Sequence, residues 1–231
     1  ADELVSSLGP ERARAAMEAM NRPATTMVRD DGYIQDRASQ LVVEAVGAEA
    51  GELVVDLCAA PGGKATGIAA SGATVVAGDR RPSRTGLVVA NAQRLGTSLL
   101  ALVADGRSLP LADGVADRVL VDAPCSGLGS LRRRPDARWR VEPEAPERLA
   151  ELQRELIDSA VRVLRPGGLL IYSVCTFGPV EGRQVVEHAV DRHGLERIEA
   201  PGPPWQELDG MSVLLPDDTD GMMLARLRRP A

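Results

Sequence analysis

From residue 53 onward, short runs of branched apolar residues alternate with longer stretches in which apolar positions return at helical spacing. The first pattern predicts buried strands and the second amphipathic helices. Strands are predicted over 53–57, 74–78, 99–104, 118–122 and 168–173, with further candidates near 196 and over 222–228. Helices are predicted from about residue 64, over 82–95, over 145–164 and over 180–192. Earlier in the chain, Ala13, Ala16, Met17 and Met20 share one face of a short helix over 10–20, whose first turn suits Pro10 and Glu11. A second helix, over 34–46, is marked by Ile34, Ala38, Leu41, Val42, Ala45 and Val46 and closed by Gly47 and Gly51. Strands alternating with helices predict an α/β fold with a mostly parallel, doubly wound sheet, whose ligands sit at the carboxyl ends of the strands.

Those ends carry most of the chemistry in the chain. The first strand runs into Asp56-Leu-Cys-Ala-Ala-Pro-Gly-Gly-Lys64, a strand-to-helix turn in which Pro61, Gly62 and Gly63 clear side chains from the backbone so that a ligand can come close. Neither the dinucleotide fingerprint G-x-G-x-x-G nor a phosphate loop is present. The second strand ends at Gly78-Asp79, at the spacing where an acid reaches ribose hydroxyls in a doubly wound fold, and the third at Asp105-Gly106. The fourth ends at Asp122-Ala-Pro-Cys-Ser-Gly127 and the fifth at Val174-Cys175-Thr176. One aspartate at a strand end is ordinary turn chemistry. Three of them beside a glycine turn, with thiols on two neighbouring loops, suggest a site for a nucleoside-like ligand.

Composition narrows the choice. With 231 residues and 44% hydrophobic content the chain can bury one sizeable core. No apolar run reaches membrane-spanning length and the first thirty residues do not resemble a signal peptide, so a cytoplasmic protein is expected. The three cysteines, Cys58, Cys125 and Cys175, form no C-x-x-C, which argues against a zinc site and a disulfide framework; no metal is expected. The net charge of -6 is unfavourable for phosphate binding unless positive charge is gathered locally, and an aromatic content of 2% leaves little for base stacking. Such a gathering exists: Arg132, Arg133, Arg134, Arg138 and Arg140 flank Trp139 just after the Pro-Cys loop.

Taken together, the glycine turn, Asp122-Ala-Pro-Cys-Ser-Gly127 and Tyr172-Ser-Val-Cys-Thr176 resemble the Sun/Fmu (RsmB-like) family of RNA cytosine-5 methyltransferases. Gly32-Tyr-Ile-Gln-Asp-Arg-Ala-Ser-Gln40, Arg132-Arg-Arg-Pro-Asp-Ala-Arg-Trp139 and Asp220-Gly221 are similar to further segments of that family. The resemblance implies a Rossmann-like class I methyltransferase fold with an antiparallel C-terminal strand, and S-adenosyl-L-methionine as cofactor. It implies a catalytic domain over 32–231, preceded by an N-terminal helical extension over 1–31 that is a remnant or truncated part of an RNA-binding region. Cys175 maps to the family's nucleophile, and Cys125 to the cysteine that helps resolve the covalent adduct; Asp122 and Lys64 would share that pocket. DNA cytosine methyltransferases use a Pro-Cys nucleophile, so Cys125 taken alone would allow the reverse assignment; the presence of Cys175 favours the RNA enzymes. The cofactor would be held by Cys58, Ala59, Ala60, Pro61, Gly62, Gly63, Lys64, Asp79, Arg84, Asp105, Gly106 and Asp122, with Asp79 on the ribose and Asp105 at the adenine.

The implied substrate is RNA, ribosomal ahead of transfer RNA, with Arg132, Arg133, Arg134, Arg138 and Trp139 as its contacts. Alternatives are a class I methyltransferase with another substrate, which would not need both thiols, and a non-catalytic RNA-binding or ribosome-assembly factor. The chain departs from the family at Val174, where threonine is usual, at Val180-Glu181-Gly182, where an acidic run is usual, and at Met222-Met223, where aromatics are usual. His188 and His193 are expected on the surface.

Overall fold

The computed structural model describes residues 2–231. Its elements in order are α1 (Asp2–Leu8), α2 (Pro10–Ala19), α3 (Arg37–Val46), β1 (Leu53–Asp56), α4 (Gly63–Ala69), β2 (Thr74–Asp79), α5 (Pro82–Arg94), β3 (Leu100–Val103), β4 (Ala116–Asp122), α6 (Ala145–Val163), β5 (Leu164–Val174), α7 (Arg183–His193), β6 (Glu196–Arg197), β7 (Gln206–Leu208), β8 (Met211–Leu214) and β9 (Met222–Arg228). The sheet order is β3-β2-β1-β4-β5-β9-β8-β7, with β6 also pairing β9. β1 to β5 are mutually parallel, and β9 runs antiparallel to β5, as expected for the doubly wound fold with a reversed C-terminal strand. Three elements were not anticipated. α1 is too short and mixed to show a period, and the β7–β8 hairpin lies in a segment where Pro203, Pro204 and Asp209-Gly210 dominate the pattern.

Residues alternate between the two faces of the sheet because successive strand side chains point opposite ways. Val55, Val76, Val119, Val121, Leu170 and Tyr172 pack with α1, α2, α6 and α7. Val54, Val75, Leu120 and Ile171 pack with α3, α4 and α5 on the other side. Leu4, Leu8, Ala13 and Ala16 from the first two helices, with Met20 just after α2, are part of the same apolar cluster as the central strands.

A buried ion cluster joins three segments that are far apart in sequence. Asp36 caps α3, its Oδ1 accepting from Ala38 N at 2.9 Å and Asp220 N at 3.0 Å, while its Oδ2 accepts from Arg132 Nη2 at 3.0 Å. Arg132 Nε donates to Asp220 Oδ1 at 3.1 Å, and the same guanidinium donates to the Asp217 and Asp218 carbonyls at 3.2 and 2.6 Å. Arg132 therefore does not meet phosphate, contrary to its place in a run of arginines: its side chain is only 2% exposed and is enclosed by the protein's own carboxylates.

Removing one partner of a buried charge cluster leaves the others uncompensated, which typically costs about 3–5 kcal/mol. Arg132→Ala is accordingly expected to lower unfolding free energy by about that amount, whereas Arg134→Ala should change it by under about 1 kcal/mol; urea unfolding of both variants checks the contrast.

Candidate active site

The carboxyl ends of β1, β2, β4 and β5 converge on one region, and β1 supplies its deepest acid. Asp56 is buried, its Oδ1 accepts from Cys58 N at 3.3 Å, and its Oδ2 has no partner among the described residues. Burial, with the charges of Asp122 and Asp79 adding and Lys64 opposing, pushes its carboxyl up to about 7. Burial and the same acids also drive the Cys58 thiol well above its usual range, so this cysteine stays protonated. The turn then enters α4 through Gly62 at φ +106°, where an added Cβ would lie 3.1 Å from Val88 Cα; both the dihedral and the contact require glycine.

Lys64, in the first turn of α4, reaches across to β4. Its Nζ donates to Asp122 Oδ2 at 2.7 Å and lies 3.4 Å from Ser39 Oγ, while Ser173 Oγ donates to Asp122 Oδ1 at 2.7 Å. Asp122 and Ser173 are register partners on β4 and β5, which explains the second contact. Burial alone would depress the lysine; the Asp122 charge and hydrogen bond, with Asp56 behind, outweigh it and hold the ammonium above its ordinary value.

The two thiols meet beside this ion pair. Cys125 packs on the cluster that includes α6 and α7, Cys175 on the cluster that includes α3 and α4, and their sulfurs are 3.2 Å apart. Ser126 Oγ and Thr176 Oγ1 are 2.9 Å apart, and Gly129 N donates to the Cys175 carbonyl at 2.9 Å, so the two loops are bound to each other. The hydrogen bond from Cys125 lowers the Cys175 thiol, with Lys64 and Ser130 assisting against burial and Asp122. The same bond, together with burial, raises Cys125. Of the two, Cys175 is the one shifted toward ionisation and Cys125 the one shifted toward keeping its proton.

A polar network that the motifs do not announce lies behind Cys125. Glu181 Oε1 accepts from Ser126 N at 2.9 Å and from Gln153 Nε2 at 3.1 Å, and Gln153 Nε2 also donates to the Pro124 carbonyl at 2.8 Å. Tyr172 Oη lies 2.9 Å from Gln153 Oε1 and 2.5 Å from the Glu181 carbonyl. The available signal was positional: Gln153 occupies the apolar stripe of α6 with Ala150, Ile157 and Ala160, where a polar residue needs a partner.

At the remaining strand ends, Asp79 Oδ1 accepts from Arg81 N at 3.0 Å and its Oδ2 from Arg84 Nε at 3.1 Å, while Arg84 Nη2 donates to the Ala60 carbonyl at 2.7 Å. Asp105 is held down at about 2 by hydrogen bonds from Arg107, and Gly106 abuts Leu57 O and Leu156, where a Cβ would clash with the latter at 2.7 Å. Of the arginine loop, Arg133 pairs with Asp220 and Arg138 donates to Met20 O at 3.1 Å. Arg134, Arg140 and Arg148 line a cavity of about 370 Å³ together with Cys125, Ser126 and Gly127, and Trp139 is 88% exposed. His188 and His193 both face Asp158 Oδ1, at 3.2 and 2.6 Å. This is the grouping of three metal-type donors found among the described residues; Arg192 already lies 3.3 Å from the same carboxylate. No helix among them is long and apolar enough to cross a membrane.

Residues 43–228 match the family model described as 16S rRNA methyltransferase RsmB/F. The chain belongs to that family. It is 41% identical over 220 residues to a putative methyltransferase of Mycobacterium tuberculosis, covering 87% of this chain and 47% of that one. Ribosomal RNA small subunit methyltransferase F of Serratia proteamaculans is 40% identical, with 85% and 45% covered, and methyltransferase B of Yersinia pseudotuberculosis 37%, with 84% and 46% covered. The chain spans about half the length of these curated relatives. Among solved structures, NSun6 from Pyrococcus horikoshii, determined with SFG, superposes with a TM-score of 0.76 at 29% identity, covering 86% of this chain and 53% of that one. A methyltransferase homolog protein from the same organism gives 0.82 at 23% identity, covering 99% and 93%, a likeness of fold.

In this RsmB/F-family chain Asp56 binds its proton more tightly when folded than when unfolded. Where the folded state holds more protons, stability falls as pH rises. The Asp56 contribution should therefore be intact below about pH 4 and decline until about pH 7, by on the order of a few kcal/mol. Urea unfolding of the wild type and Asp56→Asn at pH 5 and pH 8 should show the wild type losing ground to the variant at the higher pH.

Proposed function

We propose that the chain is the catalytic part of an S-adenosyl-L-methionine-dependent RNA methyltransferase that forms 5-methylcytosine, in ribosomal RNA ahead of transfer RNA, in the cytoplasm. The observation that carries this is the pair of thiols 3.2 Å apart with opposite proton preferences, of which Cys125 lines an arginine-bordered cavity in a chain of net charge -6. A methyltransferase acting on an intrinsically nucleophilic atom would need neither thiol.

The residues present fit the cofactor. Asp56 Oδ2 is a buried acceptor without a partner, the 58–63 backbone is cleared by Pro61, Gly62 and Gly63, and Asp79 and Asp105 are acceptors at neighbouring strand ends. Asp79 would take the ribose hydroxyls and Asp105 the adenine, with Arg84 keeping Asp79 against the turn. When bound, the cofactor supplies an electrophilic methyl group on a sulfonium.

The chain's own residues supply the rest. Carbon 5 of cytosine is a poor nucleophile, and addition of the Cys175 thiolate to carbon 6 would make it enamine-like. Asp122, oriented by Lys64 and Ser173, would accept from the amino edge of a base turned out of its stack. Once the Cys175 sulfur is bonded to carbon, Cys125 loses the acceptor that its proton faced; having passed that proton to solvent, its thiolate would take the carbon 5 proton as the Cys175 sulfur is expelled. Glu181 and Gln153 would keep the Cys125 loop in place through Ser126 N and Pro124 O. Arg134, Arg140 and Arg148 would meet phosphate, a contact that orients the strand without reading sequence.

Denaturing gels of the chain incubated with total RNA and cofactor test the assignment. Cys125→Ala should accumulate a covalent protein–RNA adduct, and Cys175→Ala should form none and transfer methyl groups only at background level. The reverse pattern would move the nucleophile to Cys125; no adduct together with no methylated RNA would overturn the proposal.

A further inference from the structure

We infer that Cys125 and Cys175 form an oxidation site, closing into a disulfide with hydroperoxides and reopening with thiol reductants. The inference needs only the two side chains, not the proposed methyl transfer. It rests first on distance. The sulfurs are 3.2 Å apart, whereas a disulfide requires about 2.05 Å, so closure asks for about 1 Å of side-chain travel. The loops bearing them leave adjacent parallel strands whose register sets Asp122 opposite Ser173, and they are joined by the Ser126–Thr176 and Gly129–Cys175 hydrogen bonds.

The second support is the division of protons between the thiols. Peroxide oxidation requires a thiolate, and a lowered thiol beside a positive charge is the usual place for it. Cys175, in contact with the Cys125 sulfur and with Lys64 nearby, is shifted toward that character; Cys125, shifted the other way, is the neighbour that resolves the product. Both thiols are partly exposed, and Cys125 borders the open arginine-lined cavity, which gives a small oxidant a way in. Cys58, kept protonated, makes no sulfur–sulfur contact among the described residues.

The step balances with a hydroperoxide as oxidant. The Cys175 thiolate attacks the distal oxygen, the O–O bond breaks, the alkoxide or hydroxide takes a proton, and Cys175 becomes a sulfenic acid. The Cys125 sulfur then attacks the Cys175 sulfur, the S–O bond breaks, and the departing hydroxide takes the Cys125 proton as water. Two electrons pass from the thiol pair to the peroxide. Reversal needs a dithiol that reduces the S–S bond. Closed, the disulfide leaves no thiolate at residue 175, so oxidation would silence the site without consuming it.

The test treats the fully reduced wild-type chain with a stoichiometric dose of hydrogen peroxide and counts thiols after denaturation. The expected count falls from three to one, with a monomer lighter by two hydrogens and a linked peptide pair holding Cys125 and Cys175. Dithiothreitol should restore three. Cys125→Ser should give no bridge and a dimedone-trapped sulfenic acid on Cys175, and Cys175→Ser should give neither product at the same dose. Three persisting thiols, a bridge to Cys58, or an intermolecular dimer would overturn the inference. A bridge that forms and reopens in a chain with no methyl transfer before oxidation would uphold it and count against the proposed function alone.

Discussion

The Lys64–Asp122 ion pair is the constraint on which the site depends. Three carboxylates, Asp56, Asp79 and Asp122, come to neighbouring strand ends, and Asp56 is deeply buried. Such a cluster is costly unless some of the charge is neutralised. One ammonium does this from the first turn of α4 while Ser173 satisfies the other oxygen of Asp122. The consequence for Asp56 is a shared proton economy: with Lys64 committed to Asp122, Asp56 retains its own proton up to about 7. The same pair acts on Cys175 from both directions, the lysine lowering and the aspartate raising it. What tips the thiol toward ionisation is therefore the hydrogen bond from Cys125, a short-range contact that the distant charges do not supply.

That contact exists because of the sheet. Period-2 alternation sends Tyr172 and Val174 toward α6 and α7, and leaves Ile171 and Cys175 with the α3–α5 layer. Cys125 comes from the opposite layer. The two thiols meet only past the end of β4 and β5, where the loops fold over the sheet edge. Glu181, Gln153 and Tyr172 then fill the space under the Cys125 loop with hydrogen bonds instead of apolar packing, which fixes a loop backbone in a way that side-chain volume alone would not.

The fold and the strand-end chemistry were legible in the sequence because they are local. A β-branched run followed by Pro61-Gly62-Gly63, or an acid at the last residue of a strand, can be recognised without knowing what lies opposite. The thiol pair was legible through its motifs, while its 3.2 Å separation came only from the register of β4 on β5. Arg132 illustrates the limit. It sits in Arg132-Arg133-Arg134, where chemistry and charge are the same at each position, and its burial is decided by Asp36 and Asp220, 96 and 88 residues away. No local pattern distinguishes it from Arg134. The β7–β8 hairpin was hidden for a related reason: its strands are short, and the pairing of β8 with β9 holds the hairpin more than any alternation of its own.

Separating the arginines also resolves the conflict between a net charge of -6 and the polyanionic partner proposed above. Arg132 and Arg133 are neutralised by Asp220 and Asp36, Arg84 by Asp79 and Arg107 by Asp105, so most of the positive charge near the strand ends is spent internally. The arginines lining the cavity have weaker partners: Arg140 pairs with Asp136 within its own turn and Arg148 with Glu142 at 3.4 Å, both pairs well exposed. Exposed pairs contribute about 0–1 kcal/mol, so a phosphate can displace those carboxylates at small cost. Steering by the whole molecule would repel RNA at long range, but screening confines that repulsion to about 8 Å at physiological salt. Inside that distance the cavity wall, and not the net charge, decides what approaches Cys125.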